Sequence, residues 1–444
     1  MSSSPAEEPD LTQGGILKPL LELAAPFMLG HVFSTLTLVV DRFWVGRAGT
    51  EAMAALGNAH AAIFVFFTLA MGMAIGTLSG VARSIGARDP ERAARFFGQG
   101  VLIELGVGVV LFALAFVLPI PIIEFMGAAP GSAEPAADYL RIMMWGMLVN
   151  APLFAVTFAL QGAGEAKAAL KVAVVAPIIN SVLDPLFIFG LDLGMPGAAW
   201  ASVCSTVVGL AVGLYLVLRG RLRLTATADA FRVRPAIASR IVTVGVPGSL
   251  EHTVRTVAGF SLVKILNGFG EVVVASYTTA MLVVMMLIFP GLALGQATAS
   301  LVGQNLGANK PRRAWQTAWA GVGIYTVFMV VLGVAVAMFG GDVMRIFLPG
   351  DAAVEAEGRR LLQIFAVSFP FIALALVLSK AFGGAGTTVP PMVAAAIAHV
   401  FLQIPAAYWL GQQYGPTGAY WAMAAAFMVH GLLSAALFVR RFRP

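Results

Sequence analysis

Residues 77–93 (TLSGVARSIGARDPERA) and 298–314 (TASLVGQNLGANKPRRA) are one text written twice, 221 positions apart. Eight of the seventeen paired positions are identical, where ordinary residue frequencies give about one or two. They are Thr77/Thr298, Ser79/Ser300, Val81/Val302, Gly86/Gly307, Ala87/Ala308, Pro90/Pro311, Arg92/Arg313 and Ala93/Ala314. The same offset pairs Pro26 with Pro247, His31 with His252, Gly194 with Gly415 and Trp200 with Trp421. The chain is therefore two related halves, so every device in one half has a counterpart position in the other.

That duplication sits in an apolar chain. Hydrophobic residues make up 59% and charged residues 11%, against about 25% charged in soluble domains, which defines an integral membrane protein. Twelve stretches are each long enough to cross a ~30 Å hydrocarbon core: 18–45, 52–84, 96–119, 137–161, 167–191, 196–218, 239–267, 273–305, 312–340, 358–383, 388–411 and 416–439. None alternates like a barrel strand, so the fold class is all-α. Six spans per half give the second copy the orientation of the first. Such parallel repeats are related by an axis along the membrane normal, with a cavity between them, as in alternating-access transporters. The halves are 16–218 and 239–440, joined by a charged linker at 219–238 and preceded by a polar leader, 1–15, expected to be disordered.

The net charge of +6 does not indicate nucleic acid, because about 20 of the 28 Lys and Arg lie at the termini and in the loops after spans 2, 4, 6, 8 and 10. The positive-inside rule then places both termini in the cytoplasm. The lone Cys204 excludes an intramolecular disulfide. No nucleophile–base set lies inside the spans, which argues against an enzyme. The five histidines are scattered without metal-ligand spacing, so no metal site is expected.

Acidic groups inside a span are costly and need a reason. In the first half the candidates are Asp41 and Asp184. Asp184 lies ~24 Å along span 5, and Asn180, four residues earlier, shares its helical face. Ser202 of span 6 enters at a comparable depth. At the 221 offset Asp41 falls on Leu262 and Asp184 on Pro405, so the acids mark a site in one half only. Such a site holds a proton if burial and a like-charged neighbour raise a carboxyl pKa, or Na⁺ at Asp184 and Asn180 if enough oxygens gather. In the second half Glu251 and Arg255 stand one turn apart, as an internal salt bridge or a secondary coupling pair. Lys264, Lys380 and Gln403 read as end residues or packing contacts. Thr35, Thr37, Met147, Asn150, Gln161, Met281 and Met285 are candidates for the cavity wall, the methionines because they suit varied shapes. Pro26 is the candidate hinge, since proline removes a helical hydrogen bond.

Several motifs together resemble the multidrug and toxic compound extrusion (MATE) family: APF at 25–27 leading to VDRFWVG at 40–46, MGMAIGTLSGVARSIGARDPERAA at 71–94, LQGAGEAKAA at 160–169, NSVLDPLFIFGLDLGMPGAAWAS at 180–202, GVP at 245–247 and GLALGQATASLVGQNLGANKPRRA at 291–314. The resemblance spans about residues 15–440 and is similar to the DinF-like prokaryotic branch. It implies twelve helices in two six-helix bundles opening alternately to either face. It also implies export of amphipathic, often cationic, compounds in exchange for H⁺ or Na⁺, in a prokaryotic cytoplasmic membrane, with no cofactor and no nucleic-acid partner. A monomer is expected. Carried over by position, Asp41, Asn180 and Asp184 match the family's acid, amide and acid, and Ser202 a small hydroxyl residue. Span 10 lacks the acid that another branch uses, and span 4 has Phe154 and Thr157 where amides would complete a Na⁺ shell. Thr157 stays in the coupling set, and the coupling ion expected is H⁺. The alternative within the superfamily is a flippase for lipid-linked sugars or other lipid-like substrates, which calls for a strongly cationic cavity.

Overall fold

The computed structural model describes residues 10–47, 50–125, 130–347 and 350–443. Within its helices the side chains of 38–39, 41–42, 45–47, 50–58, 61, 125, 130–132 and 135 lie outside the described set. The first lobe holds α1 (Leu17–Arg47), α2 (Thr50–Gly86), α3 (Pro90–Val117), a short α4 (Pro119–Phe125), α5 (Pro130–Ala163), α6 (Ala166–Pro185) continued by a π-helical turn (Leu186–Gly190), and α7 (Gly194–Leu218). The second holds α8 (Pro235–Asn267), α9 (Glu271–Gly307), α10 (Pro311–Phe347), α11 (Ala352–Ala366), α12 (Phe369–Gly384), α13 (Val389–Ala395), a π-helical stretch (Ala396–Gln403), α14 (Ile404–Tyr414) and α15 (Pro416–Phe442).

Ten helical stretches are long and apolar enough to cross a membrane. An eleventh crossing is α11 with α12, bent by 58° at the break between them. The stretch read as one span at 358–383 is a broken one: Pro370 near the start of α12 cannot continue the hydrogen-bond ladder of α11. The twelfth is α8, whose hydropathy is lowered by Glu251, His252 and Arg255 but whose place in the repeat is that of α1. Val327, Val331, Val334 and Met338 form an exposed ridge along α10, the surface that hydrocarbon rather than water solvates.

The duplicated text is where the lobes meet. The first copy ends α2 and the second ends α9, and the two helix ends lie side by side at the end of the molecule that carries the basic loops. A Cβ on Gly86 would collide with the backbone oxygen of Gln304, and a Cβ on Gly307 with that of Arg83. Arg83 and Gln304 are themselves partners at the 221 offset, so the close approach is reciprocal. Ser79 Oγ donates to Gly384 O at 3.3 Å and Arg83 Nη1 to Ala385 O at 3.4 Å. In return Ser300 Oγ and Gln304 Nε2 donate to Gly162 O at 3.3 and 3.0 Å. Each copy thus bonds the turn that follows the fourth span of the opposite lobe. The turn ending each copy is the same too, with Arg88 at φ 57° and Asn309 at φ 56°, a left-handed conformation that costs an L-residue roughly 1–2 kcal/mol. The lobes are closed at this basic end.

The leader departs from the expectation of disorder from Asp10 onward. The Asp10 carboxylate accepts from the Thr12 N–H and hydroxyl at 2.9 and 2.7 Å, from Gln13 and from Arg88. Lys310 Nζ donates to Thr12 O at 2.9 Å, and the Arg313 guanidinium reaches the carbonyls of Gln13, Gly14 and Gly15. Residues 10–15 therefore form a strap over both copies of the repeat, above a cavity of about 700 Å³. The linker is ordered also. It carries a 3₁₀ turn (Ala228–Phe231) held to α3 by Gln99, which donates to Arg232 O and accepts from the Arg234 N–H, and α8 begins at Pro235 rather than 239.

Two outcomes follow. Gly86→Val and Gly307→Val each force the helix ends apart, so a cysteine placed at Ser79 in a Cys204→Ser background should react with a membrane-impermeant maleimide from the basic side several-fold faster; unchanged labelling would show that the seal does not need the glycines. The hydrogen bonds to Asp10, those from Thr12 foremost, hold its carboxyl well below the usual carboxylate range. A depressed pKa gives stability that is present above the unfolded value of ~3.9 and is lost as pH falls below it. Limited proteolysis should therefore leave residues 10–15 protected at pH 7 in the wild type and cut them in Asp10→Asn.

Candidate functional site

In the first lobe α6 carries Pro177 and Pro185 inside its length. Pro185 withdraws one backbone N–H, and the helix relaxes into the π turn that begins at Leu186, a device frequent at functional sites. Just before that relaxation the helix presents Asn180 and Asp184, both buried. Asn180 Nδ2 donates to Asp184 Oδ1 at 3.1 Å and to Ser202 Oγ of α7 at 3.3 Å. Asn180 Oδ1 is buried with no partner among the described residues. The amide, acid and hydroxyl expected to meet are thus brought together. Asp41 falls in α1, and its side chain lies outside the described residues. Thr157 is half-buried on α5 and makes no hydrogen bond to this group among the described residues.

The residues expected on the cavity wall scatter. Met147 is fully buried in the core of the first lobe, and Gln161 is buried with Oε1 unpartnered among the described residues. Thr35 and Thr37 return their hydroxyls to the carbonyls of His31 and Phe33 on their own helix. Asn150 and Met281 are half-buried, while Met285 is exposed. Pro26 lies within a continuous α1.

The second lobe holds a larger polar group. Glu251 on α8 is buried, and Ser379 Oγ of α12 lies 2.7 and 2.8 Å from its two oxygens, sharing its one proton between them. The salt bridge expected between Glu251 and Arg255 stands at 4.0 Å, at the limit for an ion pair, so the hydroxyl is the closer partner. Arg255 Nη2 lies 3.0 Å from His252 Nδ1. Lys380, next to Ser379, is buried rather than an end residue. Gln403 is no packing contact either: it lies 2.7 Å from His399 Nδ1, and His399 Nε2 lies 3.1 Å from His430 Nδ1. The histidines of distant spans meet through the fold. On the first-lobe side His31 Nε2 reaches Gln296 Oε1 of α9 at 3.2 Å.

Sequence reading missed Glu104. It lies midway along α3, fully buried, with both carboxyl oxygens unpartnered among the described residues. A single acid within the apolar run 96–119 was the available signal.

The single Ser379 hydroxyl proton, shared between the two oxygens of a buried carboxylate, makes one charge-assisted hydrogen bond worth about 1.5–3 kcal/mol. Ser379→Ala should therefore lower the melting temperature of the purified protein, and Glu251→Gln in that background should restore part of the loss. Additive losses in the double variant would show that the two side chains do not interact.

Two six-span lobes that meet at one end, with polar groups buried inside each, define a membrane transporter. The MatE family model matches residues 26–186 and 247–409, one block in each lobe, and the chain belongs to that family, the MATE transporters. Among relatives it is 27% identical over 410 residues to the "Probable multidrug resistance protein YpnP" of Bacillus subtilis, with 91% of each chain covered. It is 26% identical over 354 residues to an "FAD transporter" of Shewanella oneidensis, covering 78% of this chain and 77% of that one. A solved structure described as an outward-facing conformation of a multidrug resistance MATE family transporter of the MOP superfamily superposes with a TM-score of 0.90 at 25% identity, with 99% of each chain covered.

Proposed function

We propose that this protein is a secondary active antiporter that expels amphipathic compounds from the cytoplasm in exchange for protons, with the coupling ion taken up in the first lobe. The observation that carries this reading is the buried Asn180–Asp184–Ser202 contact inside one lobe of a transporter whose lobes are closed at the basic end. A carboxylate that gains a proton changes from acceptor to donor. Protonation of Asp184 or Asp41 therefore rewrites the hydrogen bonds that tie α6 to α7, and with them the packing of α1 on α6. A proton that binds one arrangement better than the other shifts the equilibrium by that difference in affinity. A hard cation such as Na⁺ needs several oxygen ligands; among the described residues Asn180 Oδ1, the Asp184 carboxyl and Ser202 Oγ supply four, and Phe154 and Thr157 stand where amides would add to them. Pro26 in α1 is the position where that helix is proposed to bend.

The test is dye movement in proteoliposomes under an imposed pH gradient and, separately, an imposed Na⁺ gradient. Asp184→Asn and Asp41→Asn should retain the wild-type elution profile but lose pH-driven transport by about 5–150-fold, the range of typical coupling free energies. Wild-type rates in both variants would overturn the site assignment, and a response to Na⁺ alone would overturn the choice of ion.

A further inference from the structure

The contacts between the lobes climb α2 and α8 from the basic end, and Ser249 Oγ donates to Leu69 O at 2.6 Å where the His31–Gln296 contact joins α1 to α9. Immediately beyond Ser249 on α8 come Glu251, His252 and Arg255. Lys380 of α12 packs against Gly295 of α9, where a Cβ would crowd its side chain, and Gly295 precedes Gln296. The polar group of the second lobe thus lies at the floor of the space between the lobes. Gly295 is twelve residues from the end of the 37-residue α9, ~18 Å at 1.5 Å per residue, well inside the helix.

Among the described residues the charges at this floor do not balance. Glu251 is the one carboxylate among them, against the guanidinium of Arg255 and the ammonium of Lys380. The other acids of the lobe, Glu271, Asp342, Asp351, Glu355 and Glu357, all sit at the opposite end of the helices. The Glu251 carboxylate already shares the single hydroxyl proton of Ser379 between its two oxygens. Lys380 is drawn by Glu251 and repelled by Arg255, and it makes no hydrogen bond or ion pair among the described residues. Arg255 keeps 28% of its side chain exposed. Two buried or half-buried cations that share one carboxylate are under-compensated, and ionisable groups inside a membrane span mark a substrate pathway.

We propose that Lys380 and Arg255 form the binding site for an acidic group, a carboxylate or a phosphate, on the amphipathic substrate. The exported compound is then an organic anion or zwitterion rather than a simple cation. This rests on the exporter reading for its direction of transport, but the site itself stands or falls by binding. An Arg fork and a Lys point charge suit a carboxylate or phosphate equally, and His31 and Phe289, stacked at 6.2 Å, offer an aromatic wall to the apolar part.

The experiment is a fluorescence anisotropy titration of the purified protein with carboxyfluorescein, an anionic probe, and with ethidium, a cationic one. Wild type should bind carboxyfluorescein. Lys380→Gln should weaken that binding by at least about tenfold, as removal of one partner of a desolvated charge pair does, while Lys380→Arg restores most of it and ethidium binding does not weaken. Arg255→Gln, a change at a half-exposed side chain, gives the same direction if Lys380→Gln does not fold. Competition by lysophosphatidylglycerol at lower concentration than by a free aliphatic acid assigns the anion to a lipid headgroup; the reverse order assigns it to a soluble acid. Ethidium binding without carboxyfluorescein binding, binding of neither probe, or equal carboxyfluorescein affinity in all variants would overturn the proposal. Carboxyfluorescein that binds but does not move under either ion gradient leaves the site intact and counts against the antiporter reading.

Discussion

Two helix backbones touching at Gly86 and Gly307 are the contact on which the molecule is arranged. A side chain at either place would hold the lobes apart, so the closed end exists only because both copies of the repeat lack one. The approach brings Ser79 and Arg83 to the α12 turn and Ser300 and Gln304 to the α5 turn. Neither lobe closes upon itself; each closes upon the other with the same residues. One duplicated text therefore supplies both faces of the seal, and a change in one copy is felt in the other.

The chemistry, by contrast, is not duplicated. Asp184 faces Pro405 at the repeat offset, while Glu251, Arg255, Ser379 and Lys380 face Gly30, Ser34, Phe158 and Ala159. One lobe buries an acid beside an amide and a hydroxyl; the other buries a carboxylate, two bases and a chain of imidazoles. Both arrangements border helix that has relaxed into a π segment, Leu186–Gly190 after Asp184 and Ala396–Gln403 around His399. Sealing asks both lobes for the same surface, while their interiors are free to differ.

The twelve spans and the two halves could be read from the chain because hydropathy and repetition are properties of neighbouring residues. Asn180 and Asp184 were legible for the same reason, being four apart on one helix, and Ser202 followed from depth alone. The Glu251–Ser379 and His399–His430 contacts join residues 128 and 31 positions apart, and no local period announces them. Lys380 looked like a helix end because the helix stops four residues later, but the turn that follows is held between the lobes by Ser79 and Arg83 of the first. Glu104 was passed over inside an apolar run. The strap at 10–15 has no periodicity at all; only the loops it lies on give it a shape.

That strap ties the two loops together across the pseudo-twofold axis, with Asp10 on Arg88 and Thr12 through Gly15 on Lys310 and Arg313. Six residues drawn out straight reach about 20 Å, so the leader works as a leash of fixed length on any parting of the basic end. Up to that length it stretches at the cost of its own turn; beyond it, the Asp10–Arg88 tie must let go. Because that tie is an exposed ion pair, salt weakens it. The leader's hold on the two loops therefore loosens as ionic strength rises.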